Sequence, residues 1–446
     1  MKVPKRSKLA SAIYAGSTLL MISAGSNAHA YELYQQNETT INADFEAVLG
    51  LFHSEQSYAI SGDLDEGSVS WQEAYLKYGL SFTQGLSGTG SQLYGALNWV
   101  SSGTFGDGDA AGITNGSERT TKIEDAFIGW RSGLLLPVLG ENGVDVSIGR
   151  QAITVGDGFL IAGDAVNMGD GIAPDGSLDR GGAYYLAGRK AFDETAVLRL
   201  GGDEGLRSDL MWIKSNNRAQ GEAEMAVATL EQVSDKGTVG LTYIDVLDTN
   251  DEFDALGRNE NKTYSLRAQG NGGIENLFLS GEYARQNTSE SNENAWYLEA
   301  GWTFSHVAWS PTVNYRYSRF SEGYDPLFYG WVRGIGTWFQ GEVTSNYAGP
   351  FNSNTRVHHI GIKASPLETL TLGVLMYKFD TLSSAGGLNQ DATEVDLYAE
   401  WAVQENLFVV PVIGLYNPKT DTNGGGTQLG SDDTNVYAQL ILATSF

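Results

Sequence analysis

The sequence contains no cysteine and only nine prolines among its 446 residues. Without cysteine, no disulfide can hold the fold together. After residue 30 there is no apolar run of the roughly 18 residues that a transmembrane helix requires. Five histidines are present, but no H-E-x-x-H metal helix and no G-x-S-x-G nucleophile elbow. We therefore expect neither a helical membrane protein nor an enzyme.

Basic residues are scarce as well: 28 Lys and Arg face 54 Asp and Glu, a net charge of −26. Loss of residues 1–30 would remove four basic and no acidic residues, leaving 24 against 54 and a net charge of −30. Nucleic-acid binding needs a basic patch, so nucleic acid is excluded as a partner. An acidic soluble protein and a barrel with acidic external loops are both compatible with this charge.

The first 30 residues have the three parts of a secretory signal peptide. Four basic residues lie between Lys2 and Lys8, an apolar stretch covers residues 9–22, and residues 28–30 form an A-x-A cleavage site. We predict that residues 1–30 are removed and that the mature chain begins at Tyr31. No linker or change in composition divides residues 31–446, which are expected to form one domain.

Glycine and aromatic residues are abundant: 56 Gly and, together, 49 Tyr, Trp and Phe. Many short strands, tight turns and aromatic membrane belts need this composition. From Ile41 to Leu51 every odd position is apolar, whereas Asn42, Asp44 and Glu46 are polar. Unpaired carboxylates in a soluble core would cost several kcal/mol each, but they cost little in a water-filled lumen. The pattern predicts an all-β fold, a transmembrane antiparallel up-and-down β-barrel.

The same alternation recurs, and the predicted strands begin near residues 40, 69, 91, 121, 142, 182, 195, 206, 221, 237, 261, 276, 294, 311, 355, 369, 392, 406 and 435. We expect about 18 strands, with 16 as the fallback, because bacterial single-chain barrels favour even numbers. The predicted periplasmic turns are the short connections 85–90, 193–194, 271–275, 366–368 and 404–405. The predicted external or infolded loops are 55–67, 103–119, 248–261, 322–354, 381–391 and 417–433.

Charged side chains on the polar faces of these strands would line the lumen. The acidic candidates come mostly from the first and last strands, which become neighbours when the barrel closes: Asp44, Glu46, Glu73, Asp125, Asp145, Glu299, Glu394, Asp396 and Glu400. The basic candidates come from the middle strands: Arg199, Arg207, Arg267 and Arg316. Their separation predicts an electric field that orients polar solutes. The alternative is that these charges are only solvated or pair with one another.

Residues 151–181 are too many and too mixed in composition for a turn. The segment is rich in glycine and carries apolar residues such as Leu160 and Ile161, so we predict that it folds into the barrel and narrows it. The charged residues in and beside it are candidates for the constriction: Arg150, Asp157, Asp164, Asp170 and Arg180. The alternative is an ordinary surface loop.

Two acidic turns, at residues 107–109 and 421–424, resemble fragments of calcium-binding loops. Neither has the full ligand spacing, so ordinary turns are the better interpretation and we expect no cofactor. Divalent cations that bridge acidic external loops to lipopolysaccharide phosphates are compatible with the sequence.

Several segments resemble outer-membrane porins. Residues 148–151 (IGRQ) resemble a strand end common in porins, and the strand that ends at Phe446 resembles the C-terminal recognition strand of outer-membrane barrels. Residues 324–330 (YDPLFYG), followed by 336–342, are similar to a segment of the alginate-export-type porins. That resemblance implies a single 18-stranded barrel over nearly the whole mature chain. It supports the architecture more than the cargo, because alginate exporters have basic pores and this chain is strongly acidic.

The sequence thus predicts a passive channel of the outer membrane, a porin, for small hydrophilic or charged solutes. Its surroundings would be membrane lipid and lipopolysaccharide. One alternative is a channel for export or uptake of saccharides, including alginate-type polysaccharides. Another is a non-conducting barrel that acts as an adhesin or an envelope anchor.

Overall fold

The computed structural model describes residues 31–61, 64–86, 88, 90–164, 171–172, 178–179, 181–254, 256–289, 291–330 and 332–446. The predicted signal peptide, residues 1–30, lies outside the described residues. Within these ranges no helix is long and apolar enough to cross a membrane.

Strands make up most of the structure. In chain order they are β1 (Tyr31–Gln36), β2 (Thr39–Ser54), β3 (Val69–Leu86), β4 (Ser91–Gly106), β5 (Arg119–Arg131), β6 (Val144–Gln151), β7 (Thr154–Val155), β8 (Ile161–Ala162), β9 (Gly171–Ile172), β10 (Leu178–Asp179), β11 (Phe192–Leu200), β12 (Gly205–Lys214), β13 (Glu224–Ser234), β14 (Gly237–Asp248), β15 (Lys262–Gly270), β16 (Leu277–Asn287), β17 (Asn292–Thr303), β18 (Thr312–Phe320), β19 (Thr355–Leu367), β20 (Leu370–Thr381), β21 (Ala392–Gln404), β22 (Leu407–Pro418) and β23 (Asn435–Ser445). The helices of the described ranges are single turns: Pro137–Leu139, Arg218–Gln220, Ala385–Gly387, Thr422–Gly424 and the π-helical Thr344–Ala348.

Eighteen of the described strands form one closed barrel. Each of β2–β6 and β11–β23 pairs antiparallel with its neighbours along the chain, and β6 pairs directly with β11. The ring closes between β2 and β23, whose pairing runs from Glu46 opposite Ser445 to Ser54 opposite Tyr437. The predicted all-β antiparallel barrel of about 18 strands is therefore confirmed.

Eighteen of the nineteen predicted strand starts lie within three residues of a barrel strand's start. The predicted start near residue 182 is wrong, because residues 181–191 are mostly buried and form no strand. The predicted turn at residues 193–194 is wrong as well, since both belong to β11. The alternation does not predict β1, which pairs with the first residues of β2. Its sequence, YELYQQ, has no sustained alternation of apolar and polar residues.

The alternation separates an apolar outer surface from the interior. On the outer face Leu80 and Leu298 are exposed, whereas Glu73 and Tyr297 on the inner face are buried. β23 ends beside the first half of β2, so both ends of the described chain lie at one end of the barrel. That end carries the shorter turns, and in outer-membrane barrels it faces the periplasm.

Aromatic side chains fill the interior along the wall formed by β2, β3 and β23. The ring of Trp71 stacks on that of Phe52 at a centroid distance of 5.0 Å, and it lies 5.5 Å from Tyr347 and 6.4 Å from Tyr437. Tyr347 belongs to the connection between β18 and β19, so a connecting segment occupies this side of the lumen. The opposite wall of the barrel is formed by β12–β20.

We expect Leu80→Arg to destabilise the barrel and Ser81→Arg to be tolerated. Leu80 is exposed on the apolar outer face, and an arginine on the outer face of a membrane barrel costs up to about 2–4 kcal/mol, depending on its depth in the bilayer. The Ser81 hydroxyl donates to Asp44 at 2.8 Å in the interior, so an arginine at this position gains a carboxylate partner. Urea-induced unfolding from lipid vesicles measures both variants. Equal losses at these adjacent positions would contradict the assigned faces.

Candidate functional site: a constriction inside the barrel

Two long connections enter the barrel. We call residues 152–164 and 181–191, between β6 and β11, the first inner segment. Residues 321–330 and 332–354, between β18 and β19, are the second inner segment. The predicted infolded loop, residues 151–181, overlaps the first of these, and the contacts below locate the described parts of both.

The two inner segments are joined by their backbones. Ile161 and Phe328 form a parallel β-bridge. The amide of Phe328 donates to the carbonyl of Leu160 at 3.0 Å, and the amide of Gly330 donates to the carbonyl of Gly158 at 2.9 Å. Pairing of this kind satisfies polar groups that the interior would otherwise leave without partners. The segments therefore behave as one unit.

The first inner segment reaches two distant parts of the barrel wall. On one side, the amide of Leu186 donates to the carboxylate of Glu73 on β3 at 2.9 Å. On the other, the hydroxyl of Tyr297 on β17 donates to the carboxylate of Asp157 at 2.9 Å. β3 and β17 are the second and the twelfth of the 18 barrel strands, so the segment crosses the interior.

A buried ion pair holds the second inner segment. Arg258, between β14 and β15, donates from Nε and Nη2 to the two oxygens of Asp325 at 2.7 Å and 2.8 Å. The same Nη2 donates to the carbonyl of Leu327 at 3.0 Å. Both charged side chains are buried. A bidentate pair fixes orientation as well as position, so this pair determines where the segment enters the lumen.

Arg333 of the second inner segment is shared by two carboxylates. Its Nε lies 3.1 Å from Asp157 of the first inner segment, and its Nη2 lies 2.8 Å from Glu299 on β17. The indole nitrogen of Trp338 donates to Asp157 at 3.2 Å. Arg333 thus connects both inner segments to the barrel wall. We call this group, with Arg316, the central cluster: Asp157, Glu299, Arg316, Arg333 and Trp338.

Arg316 on β18 carries the second positive charge of the central cluster. Its Nη1 lies 3.6 Å from Glu299, and its guanidinium lies 4.7 Å from the centroid of the Trp338 ring. Its Nη2 donates to the carbonyl of Gly336 at 2.8 Å. An arginine that is stacked on an indole and bonded to backbone has a fixed orientation. The positive charge therefore has a fixed place in the constriction.

A cavity of about 340 Å³, which we call the chamber, adjoins the central cluster between the second inner segment and strands β16–β21. This volume lies in the range of small-molecule sites. A Cβ at Gly361 on its wall would lie 2.2 Å from the side-chain oxygen of Asn314. A larger residue at this position would therefore clash with Asn314. The lining carries charges of both signs: Arg316, Arg333, Lys363, Glu299 and Glu400.

His359 also lines the chamber and is buried. Its ring stacks on that of Tyr377 at 4.6 Å. Neither ring nitrogen has a hydrogen-bond partner among the described residues. Buried polar atoms normally find a partner, so His359 is an exception in the wall of the chamber.

The three other predicted arginines lie on the inner face of β11, β12 and β15. Arg207 and Arg267 both pair with Glu231 on β13. Arg199 lies opposite Asp145 of β6 in the sheet register. Each arginine therefore faces a carboxylate, and the interior charges form local pairs. The side chain of Arg207 is still 42% exposed, so it can meet a solute.

Most of the predicted acidic candidates hold strands and inner segments together. Their partners lie on neighbouring strands or on the inner segments: Ser81 for Asp44, Tyr75 for Glu46, Leu186 for Glu73, Lys77 for Asp125, Arg131 for Asp145, Val343 and Thr344 for Glu394, and Glu342 for Asp396. Glu299 belongs to the central cluster and Glu400 lines the chamber. The last two are therefore the predicted carboxylates that line the chamber.

The candidates named for the infolded loop have different positions. Asp157 belongs to the central cluster, and Asp164 accepts a hydrogen bond from the connection between β12 and β13. Arg150 lies in β6 and pairs with a carboxylate of β11 at 2.6 Å. Arg150 thus belongs to the barrel wall, and its Nη2 donates to the carbonyl of Ala191 in the first inner segment at 3.1 Å. Asp170 and Arg180 lie outside the described residues.

In the acidic turns at residues 107–109 and 421–424, Asp109 and Asp421 bond to amides of their own loops, whereas Asp107 accepts from the amide of Ser70 on β3 at 3.0 Å. Asp109 accepts hydrogen bonds from three backbone amides of its own turn. Asp421 accepts from the amides of Asn423 and Gly424. Across the described ranges, no group of three or more acidic or histidine side chains is arranged to hold a metal ion.

Sequence reasoning did not identify Arg258, Arg333, Trp338 or Glu231. The first three lie in connections, where no alternation marks an inward-facing side chain. Glu231 lies on β13, whose inner face also carries Met225 and Val227, so the alternation there is weak. For Arg333 and Trp338, the length of the β18–β19 connection and its YDPLFYG segment are the sequence features that could have indicated a functional position.

This architecture is similar to that of several solved structures. No protein-family model and no curated protein sequence matches the chain. Among solved structures, OccK5 (OpdH) of Pseudomonas aeruginosa matches with a TM-score of 0.57 and 10% identity, over 91% of this chain and 98% of that one. OccK2 (OpdF) of the same organism gives 0.55 and 12%, over 91% and 97%. OccAB4 of Acinetobacter baumannii gives 0.54 and 11%, over 92% and 99%.

These neighbours are outer-membrane porins with 18-stranded barrels. At identities this low, the likeness shows the fold and not the solute. The chain therefore has the fold of a Gram-negative outer-membrane porin.

We expect Asp325→Ala to release the second inner segment. The substitution leaves Arg258 buried without its carboxylate, which costs about 3–5 kcal/mol. Single-channel conductance should rise, and the urea midpoint should fall. The control is Asp380→Ala, which removes a partner from the exposed Arg356 and costs about 0–1 kcal/mol. Wild-type conductance and stability in the Asp325 variant would contradict the anchoring role.

A further contact of the second inner segment depends on the protonation of Glu342. The Tyr185 hydroxyl donates to Glu342 at 2.7 Å, and the amide of Glu342 donates to Asp396 at 3.4 Å. Burial raises the pKa of Glu342 to about 7, and the charge of Glu394 adds to the rise, whereas the hydrogen bond with Tyr185 opposes it. Glu342 is therefore protonated in the folded protein at pH values where an unfolded glutamate is charged.

The packing of residues 341–349 should weaken as the pH rises. A carboxyl with a raised folded pKa stabilises the fold fully below its unfolded value of 4.5 and loses that contribution as the pH passes 7. Hydrogen exchange of this segment, corrected for the intrinsic effect of pH, should accelerate between pH 5 and 8. Glu342→Gln should remove the acceleration, and Glu322→Gln, an exposed position on the same segment, should keep it. Equal profiles in all three proteins would refute the assignment.

Proposed function

We propose that the protein is a passive, non-enzymatic channel of the outer membrane for small hydrophilic or charged solutes. The chamber carries this proposal: it is a solute-sized space beside a fixed constriction, and charges of both signs line it. Preorganised charges in a narrow passage select solutes by charge and size. The solute path runs along β12–β20, past Arg207 and Arg267, because aromatic side chains fill the other side.

Placement in the envelope is part of the same proposal. Residues 1–30 serve as a cleaved signal peptide, and the strands contact membrane lipid on their outer face. The acidic external loops, for instance the exposed Asp432 and Asp433, bind divalent cations that bridge to lipopolysaccharide. The support for these points is the sequence pattern, the net charge of −26 and the porin fold.

An alginate-type polysaccharide is a less favoured cargo. The segment that resembles alginate-export-type porins contains Asp325 and Leu327, and both are buried against Arg258. It therefore anchors the second inner segment and does not line an open path. A polyanion would also meet the acidic surface of this chain. The resemblance is therefore weak support for a shared polymer.

A non-conducting barrel is the second candidate function. The observation that favours it is the aromatic filling around Trp71, Tyr347 and Tyr437, which closes one side of the lumen. Planar-bilayer recording separates the two. A correctly folded preparation that never opens ion-conducting channels would exclude the porin function and leave the adhesin or anchor.

Arg207→Ala and Arg267→Ala should shift ion selectivity toward cations. Each substitution removes a positive charge beside the path and leaves Glu231 with one arginine instead of two. Reversal potentials in a salt gradient measure the shift. Arg356→Ala is the control, because Arg356 lies on the outer face of β19 and should leave the reversal potential unchanged. An unchanged potential in both interior variants would refute the path along β12–β15.

A further inference from the structure

The connection between β5 and β6, residues 132–143, exposes an unusually apolar surface at the periplasmic end. Its sequence, SGLLLPVLGENG, has no charged residue before Glu141. Leu134 is 62% exposed and Val138 is 96% exposed, and three neighbours share this exposure: Leu135, Leu136 and Leu139. Soluble surfaces rarely present such a cluster, which normally marks an interaction site.

Two other connections at the same end are polar. Asp235 and Lys236 join β13 to β14, and residues 201–204 (GGDE) join β11 to β12. The GGDE turn lies directly beside the apolar connection, because the amide of Gly201 donates to the carbonyl of Gly143 at 2.9 Å. Of these two adjacent turns, one is thus apolar and the other is polar and acidic. The apolar surface is therefore not shared by every connection of the rim.

The apolar connection continues the lipid-facing surface of the barrel. On β5, Ile128 and Trp130 lie on the outer face, and on β6 Val146 and Ile148 are exposed on the same face. Leu134 follows Trp130 by four residues. Tryptophan in such barrels marks the membrane interface. The connection therefore begins where the hydrocarbon region meets the headgroups.

A second periplasmic connection has the same character. Residues 304–311, between β17 and β18, expose Phe304, Val307 and Trp309, the last by 61%. Trp309 has a φ of 69°, a conformation that bulky side chains rarely adopt. It follows Trp302, an exposed tryptophan on the outer face of β17. β5 and β17 are the fourth and twelfth of 18 strands, so the two connections lie on nearly opposite sides of the rim.

We propose that these two connections insert into the periplasmic leaflet and anchor the barrel at the boundary between acyl chains and headgroups. Apolar side chains next to an interfacial tryptophan are the chemistry that such a boundary recognises. A single protein partner would touch one side of the rim, whereas lipid surrounds both sides. Continuity with the lipid-facing strands points the same way. The inference concerns seating in the membrane and does not depend on the proposed channel function.

Single cysteines test this directly, because the chain has none of its own. Val138→Cys and Trp309→Cys carry an environment-sensitive dye, and Asp203→Cys in the adjacent polar turn is the matched control. Nanodiscs of phosphatidylethanolamine and phosphatidylglycerol leave both faces open to an aqueous quencher. A nitroxide on the lipid acyl chain should quench the dyes at 138 and 309 several-fold more than the dye at 203. Iodide should show the opposite order.

Two results would overturn the proposal. Dyes at 138 and 309 that iodide quenches as strongly as the dye at 203 would place both connections in water. Dyes that neither quencher reaches would place them in a protein contact, such as one with a second copy of the chain. Either result counts only for variants that keep the heat-modifiable gel migration of a folded barrel. Two independent positions protect the test against the failure of one variant.

Discussion

The barrel can exist in a membrane only because its sheet closes on itself. Lipid offers no hydrogen bonds to an open strand edge, so the edge of β2 must be paired along its length. β23 supplies the partner along one half and β1 along the other. Phe45 and Phe446 exchange both backbone hydrogen bonds at 2.9 Å, and their rings stack at 4.9 Å over this point. β1 therefore pairs with the part of β2 that extends past the end of β23.

Closure with 18 strands creates a second requirement, because a ring of this width is too large for wall side chains to fill. The inner segments occupy that width, and their buried backbone needs partners. The bridge between Ile161 and Phe328, the ion pair of Arg258 with Asp325 and the central cluster supply them. The chamber is the space that these contacts leave. The size and charge of the chamber thus follow from how the inner segments are held in place.

Sequence reasoning was strongest where a physical period exists. A strand with one face in lipid must alternate, so the barrel strands and most of their starts could be predicted. The period is absent or weak in β1, around residue 182 and in β11, where polar residues 193–194 imitate a turn. Charged side chains such as Glu299 and Arg316 could be assigned to an inner face from alternation alone. Their partners could not, because Arg333 and Trp338 lie in a connection whose path depends on tertiary contacts.

Polymer exclusion in planar bilayers tests most directly whether the inner segments narrow the barrel to a small passage. Polyethylene glycols of graded size change the conductance of an open channel only if they enter it. We predict that only the smallest polymers enter and that the cutoff lies well below the width of an unobstructed 18-stranded barrel. Free entry of polymers that fit only an unobstructed barrel would contradict a constriction formed by the inner segments.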